Sequence, residues 1–213
     1  MKFMAKTALL LLLAVSLVIQ SPAAIPASAS ETDEAYKAAY YALIKELHKA
    51  DEFTGGFDRY ALIYLDDDDV PELLAVDTPS DEYDNNGTYV YELFTYYDGK
   101  AVKLGNYASG VASAGGYRGN TMYIKKSGKI YETYISSGSG NGGDIVAQLK
   151  DGEMVELGQG TFNIESDTSI WNGKTVSNKK YTKSFNKLFK TKKAKSFEDV
   201  KTITYSKMRK KLK

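Results

Sequence analysis

The chain has no cysteine and only one histidine in 213 residues. The absence of cysteine excludes disulfides, thiol catalysis and cysteine-ligated metal sites. A Ser-His-Asp triad would have to use His48, and a multi-histidine metal site is excluded. The aromatic content of 12%, which includes 17 tyrosines, is too high for a disordered chain. The length suits one folded domain.

The N-terminus has the three-part order of a secretory signal peptide. Lys2 and Lys6 form a basic start, an almost unbroken apolar run covers residues 8–19, and a small-x-small cleavage site ends at Ala29. The apolar run is shorter than the roughly 20 residues that a membrane-spanning helix needs, and no cysteine follows it for lipid attachment. We therefore predict a secreted bacterial protein whose mature chain is residues 30–213.

Charge is balanced over the whole chain but divided along it. Residues 30–173 hold 11 basic and 25 acidic residues, whereas residues 174–213 hold 15 basic and 2 acidic residues. Such a division is typical of an interaction segment, or of two parts that pack together and neutralise each other. The basic segment also has apolar periodicity, which predicts that it is folded.

Apolar spacing predicts helices at both ends of the mature chain. Residues 30–50 place six apolar side chains on one helical face, and the basic segment contains two shorter sets with the same spacing. Ser196 and Asp199 have the spacing of a helical capping box. The three sets are Tyr36, Ala39, Tyr40, Leu43, Ile44 and Leu47; Tyr181, Phe185, Leu188 and Phe189; and Tyr205, Met208 and Leu212.

Between the helices, the pattern is that of strands joined by short turns. Residues 60–65 and 73–76 are apolar on both faces, which predicts buried strands. From Thr88 onward, alternating segments are separated by turn signals such as Asp98-Gly99. This order predicts an antiparallel β-meander.

Two segments in this region are rich in small residues. Residues 105–119 predict either a weak strand or a loop, and residues 136–143 predict a Gly/Ser loop. Taken together, the patterns predict one α+β domain over residues 30–213, with an antiparallel β-meander sheet, an N-terminal helix and C-terminal helices. The basic helical segment 174–213 forms its C-terminal part.

Four consecutive aspartates, beginning at Asp66, lie between the two predicted buried strands. Adjacent carboxylates repel each other unless a cation neutralises them. Side chains at alternate positions of a tight loop converge, which selects Asp66, Asp68 and Glu72, with the backbone carbonyl of Val70 between them. Calcium takes about six to eight oxygen ligands of this kind. We therefore predict these four residues as metal ligands and Ca²⁺ as the cofactor, the alternative being a solvated turn that binds no ion.

The turn is not an EF-hand, because strands flank it and Pro71 stands where that loop requires glycine. The segment Ile63–Leu74 instead resembles the D-x-D-x-D-G-x-x-E-L hairpin of secreted gut-type Gram-positive proteins, and it is similar to the calcium loops of FG-GAP/VCBS-type repeats. Tyr64 replaces an aspartate of that pattern, and Asp69 replaces its glycine. The resemblance covers this segment alone and implies a hairpin and a bound cation, not an activity. The oxygen-donating positions of those loops fall on Tyr64, Asp66, Asp68 and Glu72.

An alternative function is a small extracellular carbohydrate-active or cell-wall hydrolase. Glycoside hydrolysis needs two carboxylates about 5–10 Å apart, but no spacing in the sequence singles out a pair. His48, on the polar side of the first helix, is typical of a surface histidine. The Gly/Ser segment lacks the GK[ST] of a phosphate-binding loop. The candidate carboxylates are Glu72, Asp77, Glu92 and Glu132.

Tyrosines occupy both faces of the strand that begins at Thr88, so some of them must be exposed. An exposed tyrosine row with Trp171 would suit a carbohydrate or peptide ligand, and the basic segment would suit an anionic wall polymer. No motif for specific nucleic-acid binding is present. The sequence therefore predicts a secreted binding or interaction protein, with no residue assigned to catalysis.

Overall fold

The computed structural model describes residues 29–54, 57–77, 88–111 and 116–213. The predicted signal peptide lies outside these residues except for Ala29. The described residues form an N-terminal helix, an antiparallel sheet and two C-terminal α-helices. This is the α+β architecture that the sequence predicts.

The helices lie close to their predicted positions. The first, α1, is longer at its C-terminal end than the predicted 30–50. No helix in the described part of the chain is long and apolar enough to cross a membrane. The helices are α1 (Ala29–Thr54), α2 (Asn178–Leu188) and α3 (Tyr205–Lys211), with a short 3₁₀ helix at Thr191–Lys193.

Twelve strands form a single sheet within the described residues. They are β1 (Arg59–Ile63), β2 (Glu72–Asp77), β3 (Thr88–Tyr97), β4 (Lys100–Val111), β5 (Tyr117–Ile124), β6 (Lys129–Ser136), β7 (Asn141–Lys150), β8 (Glu153–Asn163), β9 (Thr168–Trp171), β10 (Lys174–Ser177), β11 (Lys195–Ser196) and β12 (Ile203–Thr204).

The sheet is a meander from β1 to β10, in which strands adjacent in sequence are adjacent in space. The turn signals explain the register. Asp98 and Gly99 have φ values of 50° and 77°, and Asp151 and Gly152 have values of 51° and 78°. Positive φ at both central residues is what a two-residue hairpin turn requires, because it matches the twist of the strands.

The C-terminal segment returns to the sheet in two places. β12 pairs with β1 at one end of the sheet, and β11 pairs with β5. Immediately after β11, the side chain of Phe197 is 1% exposed. Its ring lies 5.4 to 5.8 Å from the rings of Tyr91, Tyr107 and Tyr123. The basic segment is thus part of the hydrophobic core, which confirms that it is folded.

A second core lies between α1 and the β1–β2–β3 part of the sheet. Tyr40 and Ile44 of α1 pack there with Leu73 of β2, and Met208 and Leu212 of the C-terminal segment complete the cluster. The two oppositely charged parts of the chain therefore meet through apolar side chains. Among the residues that the structure describes, no lysine or arginine of 174–213 forms an ion pair, so the predicted mutual neutralisation does not occur through direct contacts.

One open local prediction is decided and two others require correction. Residues 105–111 continue β4, and residues 117–119 open β5, which confirms the strand alternative for these residues, because the small residues there still pair across the sheet. Residues 141–143 belong to β7, so the Gly/Ser loop is shorter than predicted. Ser196 does not cap a helix: it lies in β11, and a turn rather than a helix follows it.

Candidate metal centre

The acidic turn connects β1 to β2, whose last matched pair is Ile63 with Glu72. Two local hydrogen bonds shape it. The backbone N–H of Asp68 donates to Oδ1 of Asp66 over 3.4 Å, and the backbone N–H of Val70 donates to Oδ1 of Asp68 over 2.9 Å. Short acidic side chains favour such turns because they bind the backbone two residues further on.

Three of the four predicted ligands come together. Asp66, Asp68 and Glu72 each offer one carboxylate oxygen, and these oxygens lie within 4.8 Å of one another. Glu72 is buried, Asp66 is half-buried and Asp68 is exposed, so the cluster extends from the protein interior to the surface. The side chain of Val70 packs against the core beside α1, and the role of its carbonyl as a ligand stays a prediction.

The sheet holds the Glu72 carboxylate in place. Its Oε2 accepts a hydrogen bond of 2.7 Å from the backbone N–H of Leu65, and its Oε1 accepts one of 3.4 Å from the Thr95 hydroxyl. The carbonyl of Leu65 accepts bonds of 2.8 Å from the N–H groups of both Ser127 and Gly128. The carboxylate is therefore tied to β3 and to the β5–β6 turn.

The cluster has no ion-pair partner that would favour its ionised form. Burial raises the pKa of Glu72 to about 8, and desolvation of the Asp68 carboxyl raises its pKa to about 6, although the residue as a whole is exposed; the carboxylate of Asp66 adds to both shifts. No lysine or arginine in the described ranges forms an ion pair with these three residues. A bound cation would supply the missing positive charge and would favour the ionised form of both groups.

A second polar group in this region is the hydroxyl of Tyr40. Tyr40 lies on α1 and is fully buried, and its oxygen has no hydrogen-bond partner among the described residues. Burial raises its pKa, and the carboxylates of Glu72 and Asp68 raise it further, whereas the nearby backbone N–H of Leu73, outside hydrogen-bonding geometry, lowers it by a smaller amount. Tyr40 belongs to the same core cluster as Leu73, which directly follows Glu72 on β2. Buried polar atoms of this kind are ordinarily satisfied by water or an ion.

A cavity of about 340 Å³ opens beside the acidic turn. Asp66 and Asp68 line one part of it, and Lys126 and Lys150, from the β5–β6 and β7–β8 turns, line another. A hydrated cation can reach the two aspartates through this opening. Of the described chain, only the group of Asp66, Asp68 and Glu72 brings three metal-ligating side chains this close.

Two other residues singled out by the sequence lie in packed positions. His48 is half-buried rather than on an open surface, and its ring stacks on Tyr205 of α3 with the centroids 3.9 Å apart. Trp171 is buried at 9% exposure and packs edge-on against Tyr181. The ring of His48 contacts a helix that is distant in sequence, whereas the ring of Trp171 is covered by α2, which begins seven residues later.

The predicted aromatic ligand surface is therefore wrong in the part that includes Trp171. On β3, Tyr89 and Tyr97 are exposed, but Tyr91 between them is 2% exposed and packs in the core. The exposed tyrosines are thus separated from one another along the strand, and they form no continuous row with the buried Trp171.

The candidate hydrolytic carboxylates are spread over the sheet. Glu72 belongs to the acidic cluster, and Glu92 forms an ion pair with Lys103 on the neighbouring strand. Glu132 lies on β6, and β4 and β5 separate it from Glu92. The described residues supply no observation that pairs two of these carboxylates at one cleft.

No family model, curated protein or solved structure matches the chain.

Sequence reasoning missed two members of this site. The apolar spacing identifies Tyr40 only as a core residue of α1, and the strand pattern identifies Thr95 only as one residue of a strand. Both come near Glu72 only through tertiary packing, so no local spacing could have indicated them. The signal that exists is weak: the tyrosines on the apolar face of α1 bring hydroxyls into the core, where each needs a partner.

Proposed function

We propose that the chain is an extracellular bacterial binding or interaction protein without catalytic activity, in which the acidic turn holds a structural Ca²⁺ ion. The observation that carries the cation assignment is the approach of three carboxylate oxygens to within 4.8 Å, one of them on the buried Glu72. The unpartnered hydroxyl of Tyr40 supports it independently.

The chemistry of the donors favours calcium. The site offers three carboxylate oxygens, to which the Val70 carbonyl and the Tyr40 hydroxyl would add further oxygens, and neither sulfur nor imidazole nitrogen, which suits a hard cation. Calcium accepts flexible geometry and about six to eight oxygens, whereas magnesium needs a nearly ideal octahedron. Asp66 and Asp68 border the cavity, so water can complete the coordination shell.

The proposed role of the ion is structural. It would neutralise the cluster and join three parts of the fold: the β1–β2 connection, the β2 residue Glu72, and α1 through the neighbourhood of Tyr40. A turn fixed in this way can present a defined surface to an extracellular partner.

Thermal unfolding of the chain without the predicted signal peptide tests the cation site. Ca²⁺ at a free concentration of about 100 times its Kd should add about 2.7 kcal/mol over the value in EDTA, and Mg²⁺ should add less. The double variant Asp66→Asn/Asp68→Asn should lose this increment. Asp67→Asn/Asp69→Asn is the matched control, because it removes the same charge from the same turn outside the cluster, and it should keep the increment.

Two results would contradict the cation assignment: no shift with Ca²⁺ in the unmodified chain, or an equal loss of the shift in both double variants. The second result would mean that Ca²⁺ responds to the net charge of the turn and not to the three converging ligands.

The proposed location has its own test. Expression of the full chain in a secreting bacterium should release a protein into the medium whose N-terminal residue, determined by sequencing, is Ser30. Retention in the cell with Met1 intact would contradict secretion and would leave the cation site unaffected.

A further inference from the structure

The surface around α2 has an extreme charge composition. Residues 174–197 contain nine lysines and no aspartate or glutamate. Four of these lysines belong to the 11 residues of α2. We name this group the α2 lysine surface: Lys179, Lys180, Lys183 and Lys187.

The four lysines share one side of the helix. With about 100° of rotation per residue, they occupy an arc of roughly 100°, and the arc of Tyr181, Phe185 and Leu188 lies opposite. Tyr181 is buried, and Phe185 and Leu188 pack against the core of the sheet. All four lysines are exposed. The helix therefore buries its apolar side and directs its ammonium groups to solvent.

Nothing in the described part of the chain neutralises these charges. None of the four lysines forms an ion pair with another described residue. Asp167 accepts a backbone hydrogen bond from Asn178 at the start of α2, but its carboxylate makes no ion pair with the lysines. An anionic ligand would supply the missing counter-charge.

The position of two lysines adds to this argument. The first turn of α2 has no acidic residue and contains Lys179 and Lys180. The N-terminus of a helix carries partial positive charge, so cations there are unfavourable. The arrangement lowers the stability of the helix itself, and a bound anion would reverse that effect.

We infer that the α2 lysine surface binds a soluble linear polyanion, a polymer of repeating phosphate groups. An 11-residue helix is about 16 Å long, so an extended chain lying along it would meet all four ammonium groups. Lysine carries a flexible point charge that attracts phosphate but does not recognise the groups attached to it. The interaction is therefore electrostatic and independent of sequence.

Two other polyanionic partners fit less well. Insertion into a lipid surface needs an exposed apolar side on the helix, but that side of α2 packs in the core. Single-stranded nucleic acid is held by base stacking on exposed aromatic rings. Tyr181 and Phe189 are buried, and Phe185 packs between other rings at 4.7 to 6.3 Å.

Binding of the secreted chain to long-chain inorganic polyphosphate, at salt concentrations from about 50 to 200 mM, tests the inference. The variant Lys179→Gln/Lys180→Gln/Lys183→Gln/Lys187→Gln should bind at least about tenfold more weakly. The slope of log K against log salt should become shallower by roughly 3, since each phosphate contact contributes about 0.7. The control Lys45→Gln/Lys49→Gln/Lys100→Gln/Lys125→Gln removes four exposed lysines elsewhere and should bind like the original chain.

Equal weakening in the two quadruple variants would overturn the inference, because binding would then follow net charge alone. So would tighter binding to phosphatidylglycerol vesicles or to single-stranded DNA than to polyphosphate at the same salt. The unmodified chain provides a check that does not depend on the folding of the variants: polyphosphate should protect the four lysines from acetylation, and Lys45, Lys49, Lys100 and Lys125 should remain reactive. Uniform protection, or none, would contradict the inference.

Discussion

The backbone N–H of Leu65 donates a hydrogen bond of 2.7 Å to Oε2 of Glu72 across the base of the acidic turn. Glu72 is 1% exposed, so this bond satisfies a buried donor and partly satisfies a buried carboxylate. It also sets where the turn begins and ends, because the two residues flank the four aspartates. The Glu72 carboxylate thus accepts a backbone hydrogen bond on one side and contributes an oxygen to the candidate cation site on the other.

Substitution of Glu72 should separate these two roles. Glu72→Ala leaves the Leu65 N–H without an acceptor and the Thr95 hydroxyl without its partner, so in EDTA it should lower the free energy of unfolding by about 2 to 3 kcal/mol. Glu72→Gln keeps an acceptor oxygen and should cost less than about 1 kcal/mol. Both variants should lose the Ca²⁺ increment. Urea unfolding with and without EDTA measures each quantity, and equal destabilisation by the two variants would contradict the hydrogen-bond role.

A second prediction concerns Asp144, which joins α2 to the sheet. Its two carboxylate oxygens accept hydrogen bonds of 2.7 Å from the hydroxyls of Tyr131 and Tyr181, and the residue is 7% exposed. Asp144→Ala leaves both hydroxyls without this acceptor and should cost about 3 kcal/mol. The exposed substitution Glu165→Ala should cost less than about 0.5 kcal/mol.

Hydrogen exchange gives the location of the effect. In Asp144→Ala, amides of α2 should lose protection more than amides of β2 and β3, since the bond from Tyr181 is one of the contacts that hold this helix. Uniform loss of protection over the sheet would show that Asp144 stabilises the whole domain instead.

A third prediction follows from Glu132 and concerns pH. Burial raises the pKa of this carboxyl; burial also raises the pKa of Tyr107 and Tyr117, and the Glu132 charge adds a smaller amount to both. The folded state therefore keeps the proton to higher pH than the unfolded chain does. The contribution of Glu132 to stability must therefore fall as pH rises from the ordinary glutamate pKa of 4.5 through the folded-state pKa of Glu132.

Glu132→Gln removes this contribution, so the variant should gain stability relative to the original chain as pH rises through that window. Below about pH 4 the difference between the two proteins should be constant. The comparison cancels the contributions of Glu72 and Asp68, which both proteins share. Denaturant titrations at closely spaced pH values measure it, and a difference independent of pH would contradict the raised pKa.

Much of the fold could be predicted because its signals are local. The apolar face of α1, the alternation in β3 and the positive-φ turns such as Asp98-Gly99 depend on neighbours in sequence. Phe197 could not be placed in this way, because its burial depends on three tyrosines from strands 74 or more residues earlier. The capping-box interpretation of Ser196 failed for the same reason: pairing of β11 with β5 outweighed a local helical preference.

In the candidate site, too, the part that depends on local sequence could be predicted and the part that depends on tertiary packing could not. Asp66, Asp68 and Glu72 could be grouped from spacing, since a tight connection between two strands brings alternate side chains together. Their electrostatic setting could not be predicted from the sequence, because the burial of Glu72 depends on packing between the sheet and α1. For Trp171, the sequence-based assignment to the surface is wrong, because a helix that follows it in sequence covers the ring.

The last prediction concerns Tyr40, whose hydroxyl is buried without a hydrogen-bond partner among the described residues. Tyr40→Phe removes one oxygen and keeps the ring, so in EDTA the variant should be as stable as the original chain, or more stable by up to about 1 kcal/mol. If the hydroxyl contributes to the cation site, directly or through water, the Ca²⁺ increment in the same variant should shrink. These opposite signs distinguish a ligand role from a packing role, since loss of packing would lower stability in both conditions. Tyr36→Phe, one helical turn earlier, is the matched control and should leave the Ca²⁺ increment unchanged. Calorimetric titration of both variants with Ca²⁺ decides between the roles, and equal affinities would assign Tyr40 to the core alone.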